Sequence, residues 1–174
     1  PNLFLIIIMS HEEHKTRAPK ELAISVLTLS DTRGEAEDAS GSLIKSKILE
    51  AGYSIARYAV IKEDPGKIEE TLRLWLTDTV DAIITNGGTG LSHRDGTIEI
   101  AKKFFSKELP GFGELFRYLS FQQIGPACVL SRATAGIAQG KLLVCIPGST
   151  NAVKLVLERI LVPELPHMIW EIRR

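Results

Sequence analysis

Dense, β-branched apolar runs recur along this 174-residue chain, and each stops abruptly at a polar turn. Leu22-Ala23-Ile24-Ser25-Val26-Leu27-Thr28-Leu29 ends at Ser30-Asp31-Thr32-Arg33-Gly34. The run 80–85 leads into Asn86-Gly87-Gly88-Thr89-Gly90, the run 127–130 into Ser131-Arg132-Ala133, and the run 142–146 into Pro147-Gly148-Ser149-Thr150. Short apolar runs bounded by turns read as strands buried on both faces, which occur mainly in parallel sheets covered by helices. Residues 53–61 alternate well enough for one more strand. Between the strands the apolar spacing turns helical. It predicts a helix over 40–51 with Leu43, Ile44, Ile48 and Ala51 inward and Gly52 as its stop. Asp64-Pro65 opens another, Asp as N-cap and Pro at the first position, with Ile68, Leu72, Trp75 and Leu76 as its stripe. Further helices are expected over 98–106 (Ile98, Ala101, Phe104, Phe105), over 111–122 (Phe112, Leu115, Phe116, Leu119), and after Thr150 (Val153, Val156, Ile160, Leu161). Alternation of strand and helix within one domain's length implies an α/β fold, a three-layer α/β/α sandwich with a mostly parallel central sheet, spanning residues 21–174.

Charge narrows the function. Lys plus Arg number 21 and Asp plus Glu number 21, so the net charge is zero. A general nucleic-acid binder relies on neutralising many phosphates, so no nucleic-acid partner is expected. One small phosphorylated ligand needs only a local pocket and stays open. Residues 1–20 read as a tail. Its apolar segment Leu3-Phe4-Leu5-Ile6-Ile7-Ile8-Met9 is far short of a membrane span and lacks the flanks of a signal peptide, so no membrane partner is expected. His11 and His14 stand three apart, one short of the HExxH zinc-protease spacing. Cys128 and Cys145 sit in apolar runs and match no metal spacing. They read as buried thiols in a reduced, cytoplasmic compartment.

Open α/β sheets bind ligands beyond the carboxyl ends of their strands, where these turns fall. Three glycines within Asn86-Gly87-Gly88-Thr89-Gly90 let backbone N–H groups approach an anion closely. Ser92, Arg94 and Asp95 follow at once. Hydroxyls, a cation and a carboxylate beside a helix N-terminus are the parts of a phosphate and Mg²⁺ site. The familiar nucleotide motifs are missing. The stretch from Gly136 to Gly140-Lys141-Leu142 imitates a P-loop but is one residue short, ends in Leu instead of Ser/Thr, and leads into a strand. Neither GxGxxG nor GxSxG occurs.

Taken in order, Thr28-Leu29-Ser30-Asp31-Thr32-Arg33, Asn86-Gly87-Gly88-Thr89-Gly90, Arg94-Asp95-Gly96-Thr97, Gly111-Phe112-Gly113-Glu114, Leu130-Ser131-Arg132-Ala133 and Pro147-Gly148-Ser149 resemble the MoaB/MogA family of molybdenum cofactor biosynthesis proteins. The resemblance runs over residues 22–167. It implies a molybdopterin-binding-like fold and Mg²⁺-dependent transfer of AMP from ATP to the terminal phosphate of molybdopterin. It also implies a homo-oligomer, a trimer or larger. By the same resemblance the catalytic carboxylates fall on Asp95 and on the Glu63-Asp64 pair, Asp64 being preferred, with Asp95 and Asp64 toward the metal. Ser30, Asp31, Asn86, Gly87, Gly88, Thr89, Gly90, Ser92, Arg94, Ser120, Ser131, Arg132, Pro147, Gly148 and Ser149 are the expected ligand-binding positions. Arg132, following an apolar run, requires a carboxylate or phosphate partner. The chain departs from the family's RDxTPE pattern at Ile98, where relatives carry Pro. A non-catalytic molybdopterin-binding or carrier protein is the alternative reading, and retention of both acidic positions favours catalysis over it.

Overall fold

The computed structural model describes Pro19 and residues 21–174; the expected tail lies almost wholly outside them. Six strands form one sheet in the order β2-β1-β3-β6-β5-β4: β1 (Ala23–Leu29), β2 (Ser54–Ile61), β3 (Ala82–Asn86), β4 (Lys107–Glu108), β5 (Thr134–Ala138) and β6 (Lys141–Ile146). β2, β1, β3 and β6 run parallel, while β5 and β4 are added antiparallel. The helices are α1 (Ala39–Glu50), α2 (Pro65–Trp75), α3 (Thr97–Lys102), α4 (Pro110–Ile124), α5 (Thr150–Val156) and α6 (Val162–Arg173), the last two joined through a π-helical turn at Leu157–Leu161.

Side chains alternate across the sheet and build two cores. Ile24, Val26, Ile84 and Val144 face α1, α4, α5 and α6, where Ile44, Phe116, Val153 and Leu165 meet them. Leu27, Leu29, Ile83 and Leu143 face the other way, onto Ile68, Leu72 and Trp75 of α2 and Ile98 of α3. Each such fully buried side chain contributes about 1.5–3 kcal/mol relative to exposure. The expected three layers are therefore present. The C-terminal helix is anchored through an Arg173–Asp81 ion pair, and Asp81 Oδ2 also accepts the Ala23 N–H at 2.8 Å.

Several expected elements are corrected. Residues 127–130 are not a strand but part of a 3₁₀ helix, Gly125–Leu130. Gly125, at φ 59°, ends α4, and Pro126 has no N–H to give a ladder. The strand comes later, as β5. Val129 and Leu130 are accordingly exposed, and Cys128 is only half-buried, whereas burial pushes the Cys145 thiol up to about 12. α3 stops at Lys102, so Phe104 and Phe105 pack at the core's margin and the chain forms the short edge strand β4. Leu115, expected inward, is exposed. The stretch that imitated a P-loop is the β5–β6 hairpin, with Gln139 (φ 50°) and Gly140 (φ 73°) as its two turn residues.

Candidate functional site

All the parallel strands present their carboxyl ends at one edge of the sheet. The loop after β1 leads away toward β2, while β3 connects toward β6 and β5, so strand order reverses between β1 and β3. Crevices at such a point are where open α/β sheets take ligands. β5 runs antiparallel to β6, and Thr134 pairs with Cys145. Its beginning, not its end, therefore lies at this edge, and Ser131 and Arg132 reach the site by preceding a strand.

The glycine loop occupies the middle. Asn86 is fully buried; its side chain lies 2.6 Å from Thr28 Oγ1 and 2.8 Å from Ser40 Oγ. Ser40 Oγ is also 2.8 Å from Asp38 Oδ1, and Tyr58 O–H donates to Asp38 Oδ2 at 2.9 Å. Asp38 further accepts the Gly41 N–H at 2.9 Å as the N-cap of α1. Burial alone would raise the Asp38 carboxyl, but hydrogen bonds from Thr28, Gly41, Ser40 and Tyr58 outweigh it and hold it below its ordinary value. This network beneath the loop has no local sequence signal: Thr28 shares its strand with a second polar residue, Ser25, that takes no part in it.

Beyond Asn86 the backbone turns through Gly87 (φ 103°) and Gly88 (φ 62°). A Cβ on Gly87 would collide with Leu29 O, and one on Gly88 with Thr97 Oγ1. A Cβ on Gly148 would lie 3.2 Å from Gly87 Cα, so the turn after β6 abuts the loop directly. Thr97 is fully buried, and its hydroxyl has no hydrogen-bond partner among the described residues. Its hydroxyl lies directly beneath Gly88, a placement that the sequence pattern does not announce.

On the β1–β2 side are the carboxylates. Ser30 Oγ accepts the Arg33 N–H at 3.1 Å, which closes the turn. Asp31 Oδ1 accepts the Glu63 N–H at 3.1 Å, and Asp31 Oδ2 pairs with Arg94 at 3.0 Å. Asp95 Oδ2 accepts from the Ser92 N–H (2.9 Å) and hydroxyl (2.6 Å). Those bonds, the Ser92 hydroxyl first, hold the Asp95 carboxyl below its ordinary value. Glu63 goes the other way: burial, then the charges of Asp95 and Asp31, raise it, with Arg94 partly opposing. Asp64, its neighbour, is exposed and accepts the Lys67 N–H at 2.8 Å as the N-cap of α2. The structure thus brings Asp31, Glu63, Arg94 and Asp95 together and gives Asp64 a local structural task.

On the β6 side, Ser120, Ser131, Pro147 and Ser149 line a pocket of about 200 Å³ with Phe116, Gln123 and Asn151. Ser149 also caps α5 through the Ala152 N–H at 3.3 Å. Arg132, expected to bind ligand, has a carboxylate partner instead: it forms a two-pronged contact with Glu99.

Carboxylates, a glycine loop and a hydroxyl-lined pocket, side by side across the carboxyl ends of parallel strands, define a three-layer α/β protein of the ligand-binding class. The chain belongs to the molybdopterin-binding domain family of molybdenum cofactor biosynthesis proteins: residues 20–167 match the family model described as "Probable molybdopterin binding domain". It is 45% identical over 168 residues to molybdenum cofactor biosynthesis protein B of Bacillus subtilis, covering 95% of this chain and 99% of that one. Among solved structures it resembles a molybdenum cofactor biosynthesis protein B at 40% identity and a TM-score of 0.87, covering 90% of this chain and 99% of that one. The tungsten cofactor synthesizing protein MoaB from Pyrococcus furiosus is 39% identical with a TM-score of 0.84, covering 90% of this chain and all (100%) of that one. Among the described residues no helix is long and apolar enough to cross a membrane.

Proposed function

We propose that the chain adenylylates molybdopterin: an oxygen of the pterin's terminal phosphate attacks the α-phosphorus of ATP. A P–O bond forms there as the bond to the β-phosphate bridge breaks and pyrophosphate leaves. Such transfers call for positioning and charge stabilisation more than for a protein nucleophile. The observation carrying this reading is the gathering of acidic side chains at the mouth of the glycine loop, where Asp31 holds the Glu63 N–H at 3.1 Å and Arg94 at 3.0 Å, and where burial and then the charges of Asp95 and Asp31 raise the Glu63 carboxyl. Carboxylates kept close at the mouth of a glycine loop suit a dication. Mg²⁺ usually takes one or two carboxylates and completes its shell with water and phosphate. Asp95 and Glu63 are the residues that would hold it, so Glu63 replaces Asp64 as the second carboxylate. Bound there, Mg²⁺ would offset charge on the transferring phosphates. The loop's backbone faces phosphate chemistry, with Thr97 packed beneath it, and the pocket of Ser120, Ser131 and Ser149 offers hydroxyls to the pterin end.

The second reading, binding without transfer, is separated by one assay. Incubation with ATP, Mg²⁺ and molybdopterin, followed by chromatography, should yield the adenylylated pterin and pyrophosphate. Tight molybdopterin binding with no product would establish the carrier reading instead.

The protein also acts as a homo-oligomer, a trimer in our reading. In the apolar C-terminal segment Leu161, Leu165 and Ile169 are buried within the chain's own fold. Support comes from α4, where Leu115, Tyr118, Phe121 and Ile124 are exposed, and from the 3₁₀ helix that follows it, where Val129 and Leu130 are exposed. A concentration of exposed large apolar side chains in one stretch of chain suits an interaction surface.

A further inference from the structure

Arg132 is held by the protein on two sides. Its Nε–H donates to the Thr89 carbonyl at 2.9 Å, and its two terminal nitrogens donate to Glu99 Oε1 and Oε2 at 2.7 and 3.1 Å. The Nε–H and one N–H on each terminal nitrogen are therefore committed, and the charge is balanced by a carboxylate. The partners come from separate parts of the chain: Thr89 in the loop after β3, Glu99 in the first turn of α3, Arg132 in the segment entering β5. A backbone bond reinforces the same junction, Thr97 N–H to Gly88 O at 3.1 Å.

The Thr89 carbonyl shares a rigid peptide plane with the Gly90 N–H, so fixing the direction of one fixes the other. Gly90 Cα lies so close to the Asp95 carboxylate that a Cβ there would be 2.7 Å from Asp95 Oδ2, and the Gly90 N–H is among the groups that hold that carboxyl below its ordinary value. We propose that Arg132, braced by Glu99, is a positioning residue that orients Asp95 through the Thr89–Gly90 peptide. Ligand contact is then not its task. Its influence on chemistry, which rests on the functional reading above, passes through the loop. Lys at this position would keep the charge but lose the planar fork that grips a carboxylate and a carbonyl together.

Hydrogen exchange and kinetics of Arg132→Lys and Glu99→Gln test this. A hydrogen bond to a charged group contributes enough that its loss should speed Gly90 amide exchange about tenfold or more in both variants. kcat for adenylylation should fall about tenfold, with KM for molybdopterin changed much less, because the substrate keeps its contacts while Asp95 loses its orientation. Melting temperatures should stay within a few degrees of the parent. Unchanged Gly90 exchange in both variants would overturn the proposal, as would a raised KM at unaltered kcat, which marks a direct ligand contact. If the parent protein binds molybdopterin but transfers nothing, the enzymatic reading fails, and the exchange measurement still decides whether Arg132 orients the loop.

Discussion

At the scale of single residues the informative contrast is between two neighbours, Glu63 and Asp64. Both were legible as acidic candidates, and the pattern of letters could not separate them, because an Asp before Pro is equally an N-cap. What separates them is distance in space: Glu63 is raised by burial and by Asp95 and Asp31, which lie 32 residues away on either side of it in the chain. A carboxyl whose folded pKa lies above its ordinary 4.5 stabilises the fold most below that pH, and that contribution is lost as pH rises through the raised value. Above that window Glu63 therefore weighs against folding. Glu63→Gln should melt no lower than the parent at pH 7, and higher if the strain dominates, while adenylylation falls at least about tenfold, or roughly 1.4 kcal/mol in the barrier. Calorimetry and the product assay check the two halves; retained activity would remove Glu63 from the site. Asp95→Asn should lose activity similarly. Asp64→Asn should be nearly silent in both, since Asn caps a helix about as well as Asp. Gly88→Val is a poor probe of binding, because its Cβ meets Thr97 Oγ1 and its φ is positive. Strain of about 1–3 kcal/mol would confound any affinity change.

At the scale of elements, β1, β3, β6 and α2 were readable nearly to their ends, because strands buried on both faces and a capped amphipathic helix leave dense local signals. The misreadings share a cause. A four-residue apolar run carries no period, so residues 127–130 could not be told from a strand, and only the preceding Gly125-Pro126 hinted at a bend. β4 has two residues and no pattern at all. The Asp38 network was invisible for another reason: Thr28, Asp38, Ser40, Tyr58 and Asn86 meet only once β1, α1, β2 and β3 have packed. That junction predicts a pH response. Because the Asp38 carboxyl is held below its ordinary 3.8, its stabilisation is complete above that pH and is lost as pH falls through the depressed value. Asp38→Ala should cost about 1 kcal/mol for the cap and roughly 1–3 kcal/mol more for donors left unpaired. It should also flatten the acid limb of stability against pH, measurable by urea titration between pH 2 and 6. An unaltered acid limb would show that other carboxylates set it.

For the whole molecule, the site is an assembly of strand ends gathered from Ser30 to Ser149, with carboxylates over β1 and β2, the glycine loop over β3, and the hydroxyl pocket over β6. Sequence order hid this layout, since the reversal of β5 turns a segment that precedes its strand into a neighbour of segments that follow theirs. Association is a property of this scale too. Light scattering at micromolar concentration should give a mass of about three chains, and Phe121→Glu, placing a charge in the exposed face of α4, should shift it toward one. A monomeric parent would leave that face to another partner. The reversal also has a practical side. It places the Gln139-Gly140 hairpin, exposed and built from two positive-φ residues, at the end of the sheet farthest from the glycine loop. Exposed turns of this kind tolerate insertion. A peptide handle or fluorophore spliced between Gln139 and Gly140 would tether the protein to a surface with its ligand crevice turned outward to the solution.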